Sequence, residues 1–195
     1  MGIIRAFIAL DLSPEVLGRL EYLAGQLKGR LSGAQVRWVS VQNIHLTIKF
    51  LGDVSVNNLG VLNKIVENEA HQQVEFEIRV AGLGAFPSTN RPRVIWVGVE
   101  APGNLSALQR NIDTETAKLG YASEGRDYSP HLTLGRVARN VSDGELRRIS
   151  EALVSLKASQ LGACLIQAVH IYRSDLNPQG SVYTKLFSAD LQRST

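Results

Sequence analysis

The chain has 195 residues, 44% of them hydrophobic and 20% charged, enough to bury a core in one domain or two small lobes and too balanced for a disordered tail. The net charge of +3 and pI near 9.2 are compatible with a polyanionic ligand but do not specify one. One cysteine, Cys164, cannot form an internal disulfide, and no apolar run reaches the roughly 18 residues of a membrane helix.

The first residues, MGIIRAFIALDL, read as a strand from Ile3 to Leu12 rather than a signal segment, because Asp11 interrupts the apolar run and no small-residue cleavage site follows. Ala6 spoils the N-myristoylation pattern that Met1-Gly2 would open. Ser13-Pro14 supplies a cap and a first-turn proline for a helix running to about Lys28, with Val16, Leu17, Leu20, Leu23, Ala24 and Leu27 as its apolar stripe. Strands are expected at Val36 to Val39 and Ile44 to Phe50, with Gly52 as punctuation. A second amphipathic helix follows from Val56 to about Ala70, then a strand from Val74 to Leu83.

After a Pro/Asn-containing loop from Phe86 to Pro92, a similar order begins again. It comprises a strand at Arg93 to Val99, a helix at Leu105 to Leu119, a strand at His131 to Val137, a helix at Asp143 to Leu156 and a strand at Cys164 to Tyr172. A turn at Asn177 to Gly180 leads to a closing strand at Val182 to Ala189. The pattern predicts internal duplication, with halves at about 1–85 and 93–173 and the closing strand at 182–189. Residues repeat as well as elements: NIHLTIKFLG at 43–52 and SPHLTLGRV at 129–137 hold corresponding places.

Alternation along a strand puts His45 and Thr47 on one face, and His131 and Thr133 on the corresponding face of the second motif. If the halves pack about a pseudo-two-fold axis, two imidazoles and two hydroxyls converge on a phosphate-sized cleft. One imidazole can remove a proton from a nucleophile and the other can protonate a leaving oxygen. Hydroxyls and a cation, for which Arg136 is the candidate, can hold the non-bridging oxygens. Arg91, Arg93, Arg126, Arg136 and Arg139 all fall in or beside turn-like segments, as scattered phosphate contacts would.

His71 reads as an exposed residue just past a helix, and His170 as a sheet residue bordering the cleft at most. Neither motif carries the His/Cys/carboxylate clustering of a metal cage, and no phosphate loop of the Gly-Lys-Ser/Thr type occurs, so no metal and no cofactor is expected. Cys164, inside the apolar stretch from Leu161 to Ile171, reads as a buried structural thiol in a reducing, cytoplasmic setting.

The paired HLTIKF and SPHLTLGR, with RAFIALDL at the start and RWVSVQNIHLT before the first motif, resemble the 2H phosphoesterase superfamily. Within it the chain is most similar to the RNA 2′,3′-cyclic phosphodiesterases, also called 2′-5′ RNA ligases. FPSTNRPRVIWVGV and IYRSDLNPQGSVYTKL extend the likeness over almost the whole chain. The resemblance implies a bilobal, internally duplicated α+β fold with two antiparallel sheets facing a central cleft and helices outside. It implies hydrolysis of 2′,3′-cyclic phosphate ends to 2′-phosphomonoesters, with reversible 2′-5′ ligation in some members. By motif position, His45 is the proton donor and His131 the acceptor. Thr47, Thr133 and Arg136 meet phosphate, and Phe50 lies near the base. The expected partner is RNA with a 2′,3′-cyclic phosphate end, tRNA fragments included, met by a monomer. Two other readings stay open: an RNA-end-binding module without turnover, for which Trp38, Phe50, Phe86 and Tyr128 offer stacking surfaces, and a 2H enzyme acting on small cyclic nucleotides or 2′-5′ oligonucleotides.

Overall fold

A computed structural model describes residues 2–193 except 124, 126, 157, 159, 178 and 179. Arg126, and Pro178 and Gln179 of the expected turn, therefore lie outside the described residues. Nine strands and four helices follow in the order β1 (Ile3–Leu10), α1 (Pro14–Arg30), β2 (Val36–Trp38), β3 (Leu46–Ser55), α2 (Leu59–His71), β4 (Phe76–Ser88), β5 (Arg91–Glu100), α3 (Gly103–Ala117), β6 (His131–Val137), α4 (Asp143–Ser155), β7 (Gly162–Ile166), β8 (Ala168–Asn177) and β9 (Gly180–Asp190) among these residues.

The strands form two antiparallel sheets. Sheet A has the order β3-β1-β8-β9, and sheet B the order β2-β6-β5-β4-β7. Helices α2 and α3 pack on sheet A, and α1 and α4 on sheet B, leaving the other face of each sheet to the cleft between them. Each sheet draws strands from both halves of the sequence: β1 pairs with β3 on one side and with β8 on the other, while β2 joins β6. Helix α1 likewise follows a strand of sheet A but packs on sheet B.

Local chemistry accounts for the element ends. The Ser13 hydroxyl accepts from the Val16 amide and Pro14 opens α1, whose Val16, Leu20, Leu23, Ala24 and Leu27 are buried. Full burial of each large apolar side chain contributes on the order of 1.5–3 kcal/mol. Ser142 caps α4 by accepting from the Glu145 amide.

Several sequence expectations change, among them the strand expected at Ile44 to Phe50, which begins at Leu46 and runs through Gly52 to Ser55 because β1 keeps pairing with it. The residues from Phe86 to Pro92 are a tight β-hairpin, with a cis Phe86-Pro87 bond, because β4 and β5 keep pairing to Ser88 and Arg91. The stretch from Cys164 to Tyr172 is two strands: pairing passes from sheet B to sheet A at Gln167. Helix α2 begins at Leu59 after a 3-10 turn over Val56–Asn58. Cys164 is a buried free thiol, and its sulfur accepts from the Ser13 amide at 3.1 Å.

Candidate active site

Each repeated motif opens a strand that contains a bulge at the same place. In β3, Lys49 pairs with Ile8 and Thr47 with Ala9, so Ile48 is extra. In β6, Gly135 pairs with Ile95 and Thr133 with Trp96, so Leu134 is extra. A bulge puts two consecutive side chains on one side. Ile48 and Lys49, and likewise Leu134 and Gly135, are buried toward the helices. Strict alternation would turn the residue five beyond each histidine into the core. The bulges return Phe50 and Arg136 to the face of His45 and Thr47, and of His131 and Thr133, and both are exposed.

The histidines are held alike. His131 Nδ1 lies 2.7 Å from the Ser129 carbonyl, which can only accept, so Nδ1 carries a proton and, in the neutral ring, the lone pair is on Nε2. His45 bonds to the backbone of Asn43, again two residues upstream. Their surroundings differ. His45 stacks on Phe7 with ring centroids 4.6 Å apart, Phe7 stacks on Tyr172 at 5.4 Å, and Tyr183 stands edge-on to both His45 and Phe7. Burial among these rings pushes the pKa of His45 down to about 4, against the opposing pull of the Asn43 hydrogen bond and the Asp11 carboxylate. His131 meets the edge of Phe86 at 4.9 Å, with Trp96 behind, whose ring lies so close over Gly84 that an added Cβ there would sit 2.5 Å from it.

Sequence reasoning missed a polar cluster beside the His45 wall. Asp11 accepts from the Tyr172 hydroxyl at 2.5 Å and from Lys185 Nζ at 2.7 Å, and its carboxylate is 3.4 Å from Nε2 of the buried His170. These residues meet only through the pairing of β1 with β8 and of β8 with β9, which local patterns do not encode. His170 therefore borders the site, while His71 ends α2 on the exposed surface.

Of the other aromatics, Trp38 packs by Gly135 on the core face, whereas the Tyr128 hydroxyl donates to the Thr47 carbonyl at 2.9 Å. This bond ties the loop before β6 to β3, and the two strands touch across the cleft. Behind β3, the buried Lys49 ammonium is 2.5 Å from Asp113 of α3 and donates to the Ala122 carbonyl. Among the described residues no group of three or more His, Cys, Asp or Glu side chains is gathered as a metal site. No described helix is long and apolar enough to cross a membrane.

Known proteins share this fold. The chain is 37% identical over 185 residues to the RNA 2′,3′-cyclic phosphodiesterase of Methanothermobacter thermautotrophicus, covering 94% of this chain and 96% of that protein. It is 31% identical to the protein of that name from Aeropyrum pernix, over 88% and 94% of the two chains. The crystal structure of E. coli LigT complexed with 3′-AMP superposes with a TM-score of 0.78 at 23% identity, covering 97% of this chain and 99% of that one. The LigT-like phosphoesterase profile matches twice, at residues 10–96 and 97–183. A duplicated α+β fold with an HLT motif on each wall of its cleft, matched over nearly its whole length, makes this chain a member of the LigT-like phosphoesterase family.

Proposed function

We propose that the protein hydrolyses RNA 2′,3′-cyclic phosphate ends to 2′-phosphomonoesters, with His45 and His131 as its proton carriers. The observation that carries this reading is the pair of carbonyl-anchored histidines, each with a threonine two residues on, placed by matching bulged strands on facing sheets. The names of the relatives supply the substrate class.

In the forward step, His131 Nε2 removes a proton from water as its oxygen bonds to phosphorus. The bond from phosphorus to the 3′ oxygen breaks, and protonated His45 delivers a proton to that oxygen. The products are a 3′-hydroxyl and a 2′-phosphomonoester. Thr47, Thr133 and Arg136 hold the non-bridging oxygens, and Phe50 flanks the base. The same step with a 5′-hydroxyl in place of water forms a 2′-5′ linkage, which is the ligase side of the proposal. We further place the enzyme in the cytoplasm as a monomer acting on RNA ends, tRNA fragments among them, with no metal or cofactor in the step.

The test is an RNA ending in a 2′,3′-cyclic phosphate, incubated with chelator and followed by phosphorus NMR. A 2′-phosphate is expected, and a 3′-phosphate would reverse the leaving-group assignment. His45→Ala and His131→Ala should each lower turnover by roughly 10²–10⁴. Near-normal turnover in both folded variants would refute the two-histidine mechanism, and tight binding without product would leave an RNA-end-binding module.

A further inference from the structure

Arg37 has no part in the chemistry above, yet the fold brings it to the same wall. It sits on β2, the edge strand of sheet B, directly opposite Arg136 in the antiparallel register with β6. Its neighbours Val36 and Trp38 point the other way, since a Cβ added to Gly135 would stand 3.0 Å from each of them. Directly opposed residues share a face, so the two guanidinium groups leave the sheet together on the cleft side. Both are exposed, and neither makes a hydrogen bond or ion pair with another described residue.

Like charges directly opposite across a strand pair cost stability. An anion between them reverses the sign of that term, and planar guanidinium groups suit phosphate oxygens. The cyclic phosphate, a monoanion, already has Arg136 and two threonines to meet it. A second cation on the outermost strand lies beyond Arg136 at the sheet edge, where a ligand longer than one nucleotide has room to extend. The opposite wall has a different character at the matching place, where Phe50 pairs with Phe7 across β3 and β1. One wall therefore offers the exposed ring of Phe50 to a base, and the other offers charge to a backbone.

We propose that Arg37, beside Arg136, binds the phosphodiester immediately 5′ of the terminal nucleotide, so that the site selects the end of an RNA chain over a free 2′,3′-cyclic mononucleotide. The inference rests on the cyclic-phosphate reading above, and its test separates the two.

The substrates are a 2′,3′-cyclic mononucleotide and a short oligoribonucleotide ending in the same nucleotide, assayed across a range of KCl concentrations with wild type, Arg37→Ala and Arg37→Lys. The preference for the oligomer, as the ratio of kcat/KM values, should fall roughly tenfold in Arg37→Ala, chiefly through KM. The slope of log kcat/KM against log salt for the oligomer should become shallower by about 0.7, the value for one phosphate contact on a single strand. Arg37→Lys should keep that slope, because it keeps the charge. An unchanged preference and slope in Arg37→Ala would overturn the proposal. Anisotropy titrations of a labelled oligomer ending in a 2′-phosphate read the same salt slope without turnover. An enzyme inactive on both substrates would thus refute the proposed chemistry while the titration still decides the role of Arg37.

Discussion

The donor role proposed for His45 sets this ring a problem. A proton donor must hold a proton, yet burial against Phe7 and beneath Tyr183 keeps this ring neutral down to about pH 4. An anionic ligand in the cleft favours the charged ring. The His45 resonance in an NMR titration should therefore shift its midpoint upward when inorganic phosphate binds, and an unmoved midpoint would count against its role as donor. The same burial has a stability consequence. Because the folded pKa lies below the ordinary 6.5, the unfolded chain binds more protons between those values, so stability falls as pH drops from 6.5 toward 4 and the loss ends below that. For this residue the loss is at most about 3 kcal/mol, and His45→Gln should flatten that part of a urea-unfolding pH profile. At this scale the sequence was informative where strand alternation decides which side chains share a face, as for His45 with Thr47. It was silent on Phe7, Tyr172 and Asp11, whose contacts with one another and with His45 depend on which strands pair.

The two bulges explain why alternation alone would have misplaced Phe50 and Arg136. Counting by twos from His45 or His131 sends both into the core, and only an extra residue in the register corrects the count. Motif resemblance pointed to both positions without that geometry, and the bulges put both side chains on the face of the motif histidines. The equivalent strands then diverge at the residue after the bulge: Gly135 makes room for Val36 and Trp38, whereas Lys49 reaches α3 and is 1% exposed. Replacing Lys49 by Met removes the cation from beside the Asp113 carboxylate and should destabilise the fold by about 3–5 kcal/mol. Lys49→Met combined with Asp113→Leu should recover most of that loss. Equal destabilisation by the single and double variants, measured in urea, would mean that packing rather than charge dominates at this site. The hairpin at Pro87 and the break at Gln167 were illegible for a related reason, since a proline-containing hairpin resembles a loop and two abutting apolar strands resemble one.

Duplication was legible in the chain as a whole because two HLT motifs recur in matching surroundings, and the family profile matches each half once. The exchange of strands between sheets was not, because a repeat specifies similar pieces without specifying where each docks. That exchange imposes an order in time. Sheet B has all its strands once residue 166 has been made, so the wall bearing His131 can assemble early. β1, whose Phe7, Ile8, Ala9 and Leu10 are all buried in the finished protein, must wait for β8 with one edge unpaired. At 5–20 residues per second on the ribosome, that wait lasts roughly 10–30 seconds. A chain stopped after Ile166 is expected to aggregate through this edge, whereas one continued through Gln192 should stay in solution, and equal solubility of the two would contradict this order. β1 is thus made long before it is enclosed, and the histidine wall it supports is completed only once β8 and β9 have followed.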